Sequence, residues 1–111
     1  MDTNTASVCL EALGHATRLD VFRLLVKAGG PGLSFGEIQA HTGVPASTLS
    51  HHLATLARAG IVTQTKQGRQ NYSAAAFDIM RELLEFLTAE CCSLAPHGHA
   101  APADASLLEA K

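Results

Sequence analysis

The chain has 111 residues, is 47% hydrophobic, lacks tryptophan and carries a formal charge of −2 at pH 7. That length suits one small domain with a modest core, which an oligomer interface would help to stabilise. No apolar run approaches the roughly 20 residues that a membrane span needs, the opening MDTNTASVCLEALGHATR lacks the basic start and apolar middle of an export signal, and a cytoplasmic location is expected.

The net charge conceals a partition. Residues 16–73 carry Arg18, Arg23, Lys27, Arg58, Lys66 and Arg69 against only Asp20 and Glu37, whereas the flanks hold two basic and eight acidic residues. A basic middle between acidic ends fits a local anionic partner. The three cysteines are an odd count, which in a reduced compartment favours metal or thiol chemistry over a disulfide framework.

In chain order, residues 5 to about 14 form a short helix with Cys9, Ala12 and Leu13 on one face. Residues 17–28, TRLDVFRLLVKA, form a stronger one. Leu19, Val21, Phe22, Leu24, Leu25 and Val26 wrap most of its circumference, so it is expected at the centre of the core. The run GGPG at 29–32 ends it. Ser34 and Glu37 have the spacing of a capping box, Ile38 faces inward, and Gly43 suits a helix end. Pro45 suits the first turn of the next helix, about residues 45–59. There Leu49, Leu53 and Leu56 point to the core. Ser47, Ser50, His51, Ala54 and Arg58 form the opposite stripe, and His52, off the centre of that stripe, is expected to hydrogen-bond the backbone. Two helices joined by a tight, glycine-containing turn make a helix-turn-helix. IVTQTKQGRQNYS at 61–73 reads as a hairpin turning at Gln67-Gly68. The last helix, about 76–92, has Phe77, Ile79, Met80, Leu83, Leu84, Phe86 and Leu87 over half its circumference. That arc is wide enough for a dimer surface as well as a core face. Residues 1–95 form the domain, and 96–111, with Pro96 and Pro102, form a flexible tail.

A helix-turn-helix followed by a hairpin has a physical use on duplex DNA, because an α-helix fits the major groove. Ser47, Thr48, Ser50 and His51 can approach base edges and phosphates. Lys66, Arg69 and, more weakly, Gln70 at the hairpin can touch phosphates or enter a minor groove. Such a stripe alone is equally an ordinary solvated helix face, and the order of elements decides for DNA.

The segments HATRLDVFRLLVKAG and GVPASTLSHHLATLARAGIVTQTKQGRQNYS, with their spacing, resemble the ArsR/SmtB family of winged-helix metalloregulatory repressors over about residues 10–92. The resemblance implies a mainly α fold with a small β-hairpin wing and a homodimer built from the N- and C-terminal helices. It also implies an operator-bound apo form that an inducer releases. One family arsenic site, a cysteine pair at the start of the helix before the recognition helix, is absent from SFGEIQAHT. A family zinc site along the last helix lacks its histidine. What remains is Cys91 and Cys92, adjacent at the end of the last helix as in some arsenic-responsive members, with Cys9 as the one protein candidate for a third thiolate ligand, from either subunit and with the partner's favoured. Soft thiolates select soft centres, so the expected inducer is As(III), possible substitutes being Sb(III) and a monomethylated trivalent arsenical. Cys91 alone continues the apolar arc and reads as packing, whereas Cys92 falls toward the polar side. His97 and His99 are expected to be bystanders.

A repressor of the same fold that senses zinc or thiol oxidation stays open. An enzyme does not fit, since Cys91 and Cys92 follow Glu90 at a helix C-terminus, which opposes thiolate formation, and no phosphate-cradling loop precedes them. Against an interaction module that has lost DNA binding stand Lys66, Arg69 and the hydroxyl stripe.

Overall fold

The computed structural model describes residues 1–95. The expected tail, residues 96–111 with His97 and His99, lies outside the described residues. Along the chain run α1 (Thr3–Leu13), α2 (Ala16–Ala28), β1 (Leu33–Ser34), α3 (Phe35–Thr42), α4 (Ala46–Arg58), β2 (Val62–Gln67), β3 (Gln70–Ala75) and α5 (Phe77–Thr88). This is the expected winged helix-turn-helix, with α3 and α4 as the motif and β2–β3 as the wing.

Capping sets the helix starts. Asp2 accepts from the Thr5 N–H, and His15 Nδ1 accepts from Thr17. Ser34 and Glu37 form the expected capping box, and Gly43 closes α3 in the left-handed conformation. Pro45 lies one position outside its expected place. It is the N-cap of α4, with an extended ψ of 147°.

The core joins Val21, Phe22 and Leu25 of α2, Ile38 of α3, Leu49, Leu53 and Leu56 of α4, Ile61 and Val62 at the wing base, and Leu83 of α5. Each such side chain contributes about 1.5–3 kcal/mol by leaving water. The apolar run on α2 overstates its burial. Leu19 is 42% exposed, because the core covers one side of this helix and not its whole circumference.

The sheet has order β1-β3-β2, with both pairings antiparallel. The strand β1 was not expected. It is two residues long, too short to show alternation, and Ser34 serves both as strand residue and as helix cap. The wing turns at Gly68-Arg69, with Gln67 opposite Gln70, one residue beyond the expected Gln67-Gly68. Gly68 has φ 64° while Arg69 has no positive φ, the pattern of a type II′ turn.

The last helix stops at Thr88, short of the expected end at 92. Thr88 Oγ1 donates back to the carbonyls of Leu84 and Glu85, and Ala89 leaves helical geometry with ψ 134°. Residues 89–94 continue as turns.

Candidate nucleic-acid interface and cysteine pair

The recognition helix α4 is anchored by one face and offers the other. Leu49, Leu53 and Leu56 are buried, whereas Ser47, Thr48, Ser50, His51 and Arg58 are exposed. Pro45 supplies no side-chain cap, so the first N–H groups of α4 stay open beside Ser47 and Thr48. Open N–H groups at a helix start attract anions such as phosphate.

The wing register sorts its side chains. Cross-strand partners share a face, so Gln64, Lys66, Asn71 and Ser73 lie on one side and Thr65, Gln67, Gln70 and Tyr72 on the other. The first side turns toward α4. Phe35, Ser50, Leu53, Gln64, Asn71 and Ser73 line one cleft of about 270 Å³. Lys66 and Arg69 are exposed toward and at the wing tip. Gln70 is exposed too, but on the face opposite the cleft. Gln64 and Asn71 were missing from the expected interface. The two-residue period of VTQTKQ, which puts Gln64 beside Lys66, carried the signal.

Behind α4 lies a histidine cluster. The His52 ring is 6% exposed, with its centroid 4.7 Å from that of His15 and 6.0 Å from that of His51. The expected backbone hydrogen bond does not form at Nδ1, which is buried without a partner among the described residues, since the ring packs against His15 instead. Burial pushes the His52 pKa below its usual 6.5, and nearby His15, Arg18 and His51 add to the effect.

The three cysteines divide. Cys9 is 0% exposed, and its thiol donates to the carbonyl of Ala59 at 3.6 Å. Burial raises its pKa, which disfavours the thiolate. Cys91 and Cys92 are exposed beyond the end of α5, with their Sγ atoms 3.4 Å apart. None of the three forms a disulfide. In this segment the Cys91 N–H donates to Thr88, Ser93 to Glu90 and Ala95 to Cys92. Glu90 and Cys92 take positive φ values of 58° and 65°. Non-glycine residues adopt such values uncommonly, at a cost of about 1–3 kcal/mol each. Two sulfurs that a regular helix would splay about 100° apart thus converge. Among the described residues, no group of three His, Cys, Asp or Glu side chains is placed to hold a metal. No helix among the described residues is long and apolar enough to cross a membrane.

An anchored helix with an open N-terminus and hydroxyl-rich face, flanked by a basic-tipped wing, defines a winged helix-turn-helix DNA-binding protein. A family model described as a helix-turn-helix domain matches residues 13–65. The uncharacterized HTH-type transcriptional regulator MJ1325 of Methanocaldococcus jannaschii is 32% identical over 82 residues, covering 74% of this chain and 90% of that protein. The chain therefore belongs to the helix-turn-helix transcriptional regulators, and it is not an enzyme. Among solved structures, the homodimeric winged helix-turn-helix domain Mb0332 of Mycobacterium bovis, described as a possible ArsR-family regulator, shares the fold at TM-score 0.64 and 24% identity, over 86% of this chain and 89% of that one. A possible transcriptional regulator for arsenical resistance is 29% identical at TM-score 0.62, over 72% of this chain and 80% of that one.

Proposed function

We propose that the chain is a homodimeric repressor that leaves its operator when trivalent arsenic binds Cys91 and Cys92. The observation that carries this reading is the exposed pair of thiols 3.4 Å apart, at the end of a helix suited to dimerisation. Val8 and Leu10 of α1 and Leu84 and Leu87 of α5 are exposed apolar residues, on two helices that pack against each other. A second copy covering that face would bury them.

Two adjacent thiolates suit a pyramidal, thiophilic As(III) centre, with Sb(III) as a close substitute. Cys9 must leave the core and give up Ala59 to become a third ligand, from its own or the partner subunit. Each thiol displaces one hydroxide of arsenite as water, and we therefore assign the third position to the hydroxide that remains, or to the methyl group of a monomethylated arsenical. Thiol oxidation within the pair is disfavoured. Adjacent Cα atoms are about 3.8 Å apart, closer than the roughly 4.4–6.8 Å that disulfides span. A single larger atom bridging the sulfurs meets no such limit.

Closing the pair around a ligand redraws the turns after Thr88 and shifts the end of α5 against α1. The Cys9 thiol ties α1 to Ala59, the residue that closes α4, so the shift reaches the recognition helix. Operator half-sites have fixed spacing, so a small change in the separation of the two recognition helices weakens both contacts. A coupling of about 1–3 kcal/mol lowers affinity about 5- to 150-fold.

A promoter-reporter strain tests this reading. On a reporter promoter carrying a duplex that the wild-type chain selects from a random library, the wild-type chain represses, and arsenite restores expression. Cys91→Ser and Cys92→Ser repress and no longer respond. Derepression by arsenite in both serine variants would remove the pair from the account.

A further inference from the structure

We propose that the cleft between the recognition helix and the wing is an uncharged clamp for one phosphodiester of the DNA backbone, closed by the amides of Gln64 and Asn71 and the hydroxyl of Ser50. This rests on the DNA-binding reading and adds residues and a chemistry to it. The cleft has a volume of about 270 Å³, below the roughly 300–1,000 Å³ of pockets that enclose a drug-sized ligand. Its lining is amphipathic. Phe35 and the buried Leu53 form an apolar floor, the exposed Ser50, Gln64 and Asn71 bring amide and hydroxyl side chains to its edge, and Ser73 lies buried behind them. That combination matches a sugar-phosphate unit, with the deoxyribose on the floor and phosphate oxygens accepting from the rim.

Position argues for the same occupant. One wall is the helix suited to the major groove and the other is the wing, whose tip reaches past that groove. A strand of the duplex backbone separates one groove from the next, so it runs where the cleft opens. Gln64 and Asn71 are exposed, and Ser50 is exposed on the adjoining face of α4. No hydrogen bond within the described residues occupies the side chains of Ser50, Gln64 or Asn71, so their donors are available. The cleft lining includes no lysine or arginine. The nearest basic residue by register is Lys66, opposite Asn71, toward the wing tip. The clamp therefore grips a charged group with neutral donors. Its contribution does not come from counterion release, which requires cationic side chains.

This difference makes the clamp testable against the basic side chains around it. Fluorescence anisotropy is measured at several salt concentrations on a duplex selected by the wild-type protein from a random library and on a scrambled duplex. The proteins are wild type, Gln64→Ala, Asn71→Ala and Lys66→Ala. Both alanine replacements in the cleft lie at exposed strand positions, so the core is untouched. Each cleft variant is expected to weaken binding about tenfold, the size of a hydrogen bond to a charged group. The loss is equal on the two duplexes and leaves the salt slope of wild type. Lys66→Ala flattens the slope by about 1, since one phosphate is no longer neutralised. Unchanged affinity in both cleft variants overturns the clamp while leaving DNA binding intact, and so does a loss confined to the selected duplex, which marks base reading. A wild-type chain that enriches no duplex from the library and does not bind the scrambled one overturns the DNA reading and the clamp with it.

Discussion

Gly32 holds the wing base close to β1, and replacing it with alanine tests how tightly. Its φ is +74°, and a Cβ built there would lie 2.2 Å from the Ser73 carbonyl oxygen and 2.8 Å from its carbon. The left-handed conformation alone costs an L-residue about 1–2 kcal/mol. The clash adds to this, because Ser73 is the β3 residue paired with Leu33 and Gln64, and its backbone cannot yield without disturbing both pairings. Together the two effects predict a loss of about 3–4 kcal/mol, within the range for strain combined with overpacking. Gly43 is the control. Its φ is +72°, but an added Cβ meets nothing within 4 Å, so Gly43→Ala carries strain alone, about 1 kcal/mol. At about 4–8 °C per kcal/mol for a domain near this size, Gly32→Ala lowers Tm by about 15 °C or more and Gly43→Ala by about 5 °C. Thermal unfolding by circular dichroism at fixed protomer concentration measures both. Equal shifts for the two variants would refute the claim that the clash with Ser73, and not φ, decides the cost.

Further outcomes follow from the buried histidine and the exposed apolar face. The folded-state pKa of His52 lies below 6.5, so on acidification the unfolded chain takes up this proton first. The neutral ring's contribution is intact above pH 6.5 and is lost as pH falls through the depressed value. Wild type is therefore expected to lose more Tm between pH 7.5 and 5.5 than His52→Gln, and equal losses would contradict this. At the proposed dimer face, Leu84 and Leu87 are 56% and 54% exposed, so replacing both with arginine costs little monomer stability but desolvates charge on association. Sedimentation equilibrium should then show dimers for wild type and monomers for the variant, with Tm within a few degrees at matched low concentration.

Local and periodic features were legible in the sequence. The capping box at Ser34 and Glu37 depends on residues three apart, and the burial of Leu49, Leu53 and Leu56 follows from helical spacing. The exposed hydroxyl stripe is the complement of that same pattern. Features set by tertiary packing were not. The strand β1 exists only because β3 lies beside it, and Leu19 stays exposed because no element among the described residues covers that side of α2. The cleft lining combines residues of α3, α4, β2 and β3, so Gln64 and Asn71 acquire their place only once the wing folds against the helix. The cysteine pair falls between these cases. Its adjacency was plain, but the positive φ values at Glu90 and Cys92 oppose ordinary residue preference. A helix continued to residue 92 would have separated the two sulfurs that the turns bring together.

The most direct test of the central claim is an arsenite titration of the operator complex followed by fluorescence anisotropy, with wild type, Cys9→Ser and the Cys91→Ser/Cys92→Ser double variant side by side. The predicted result is release of the duplex by wild type and by Cys9→Ser, and full retention by the double variant. Release by the double variant would contradict the assignment of the sensor to Cys91 and Cys92.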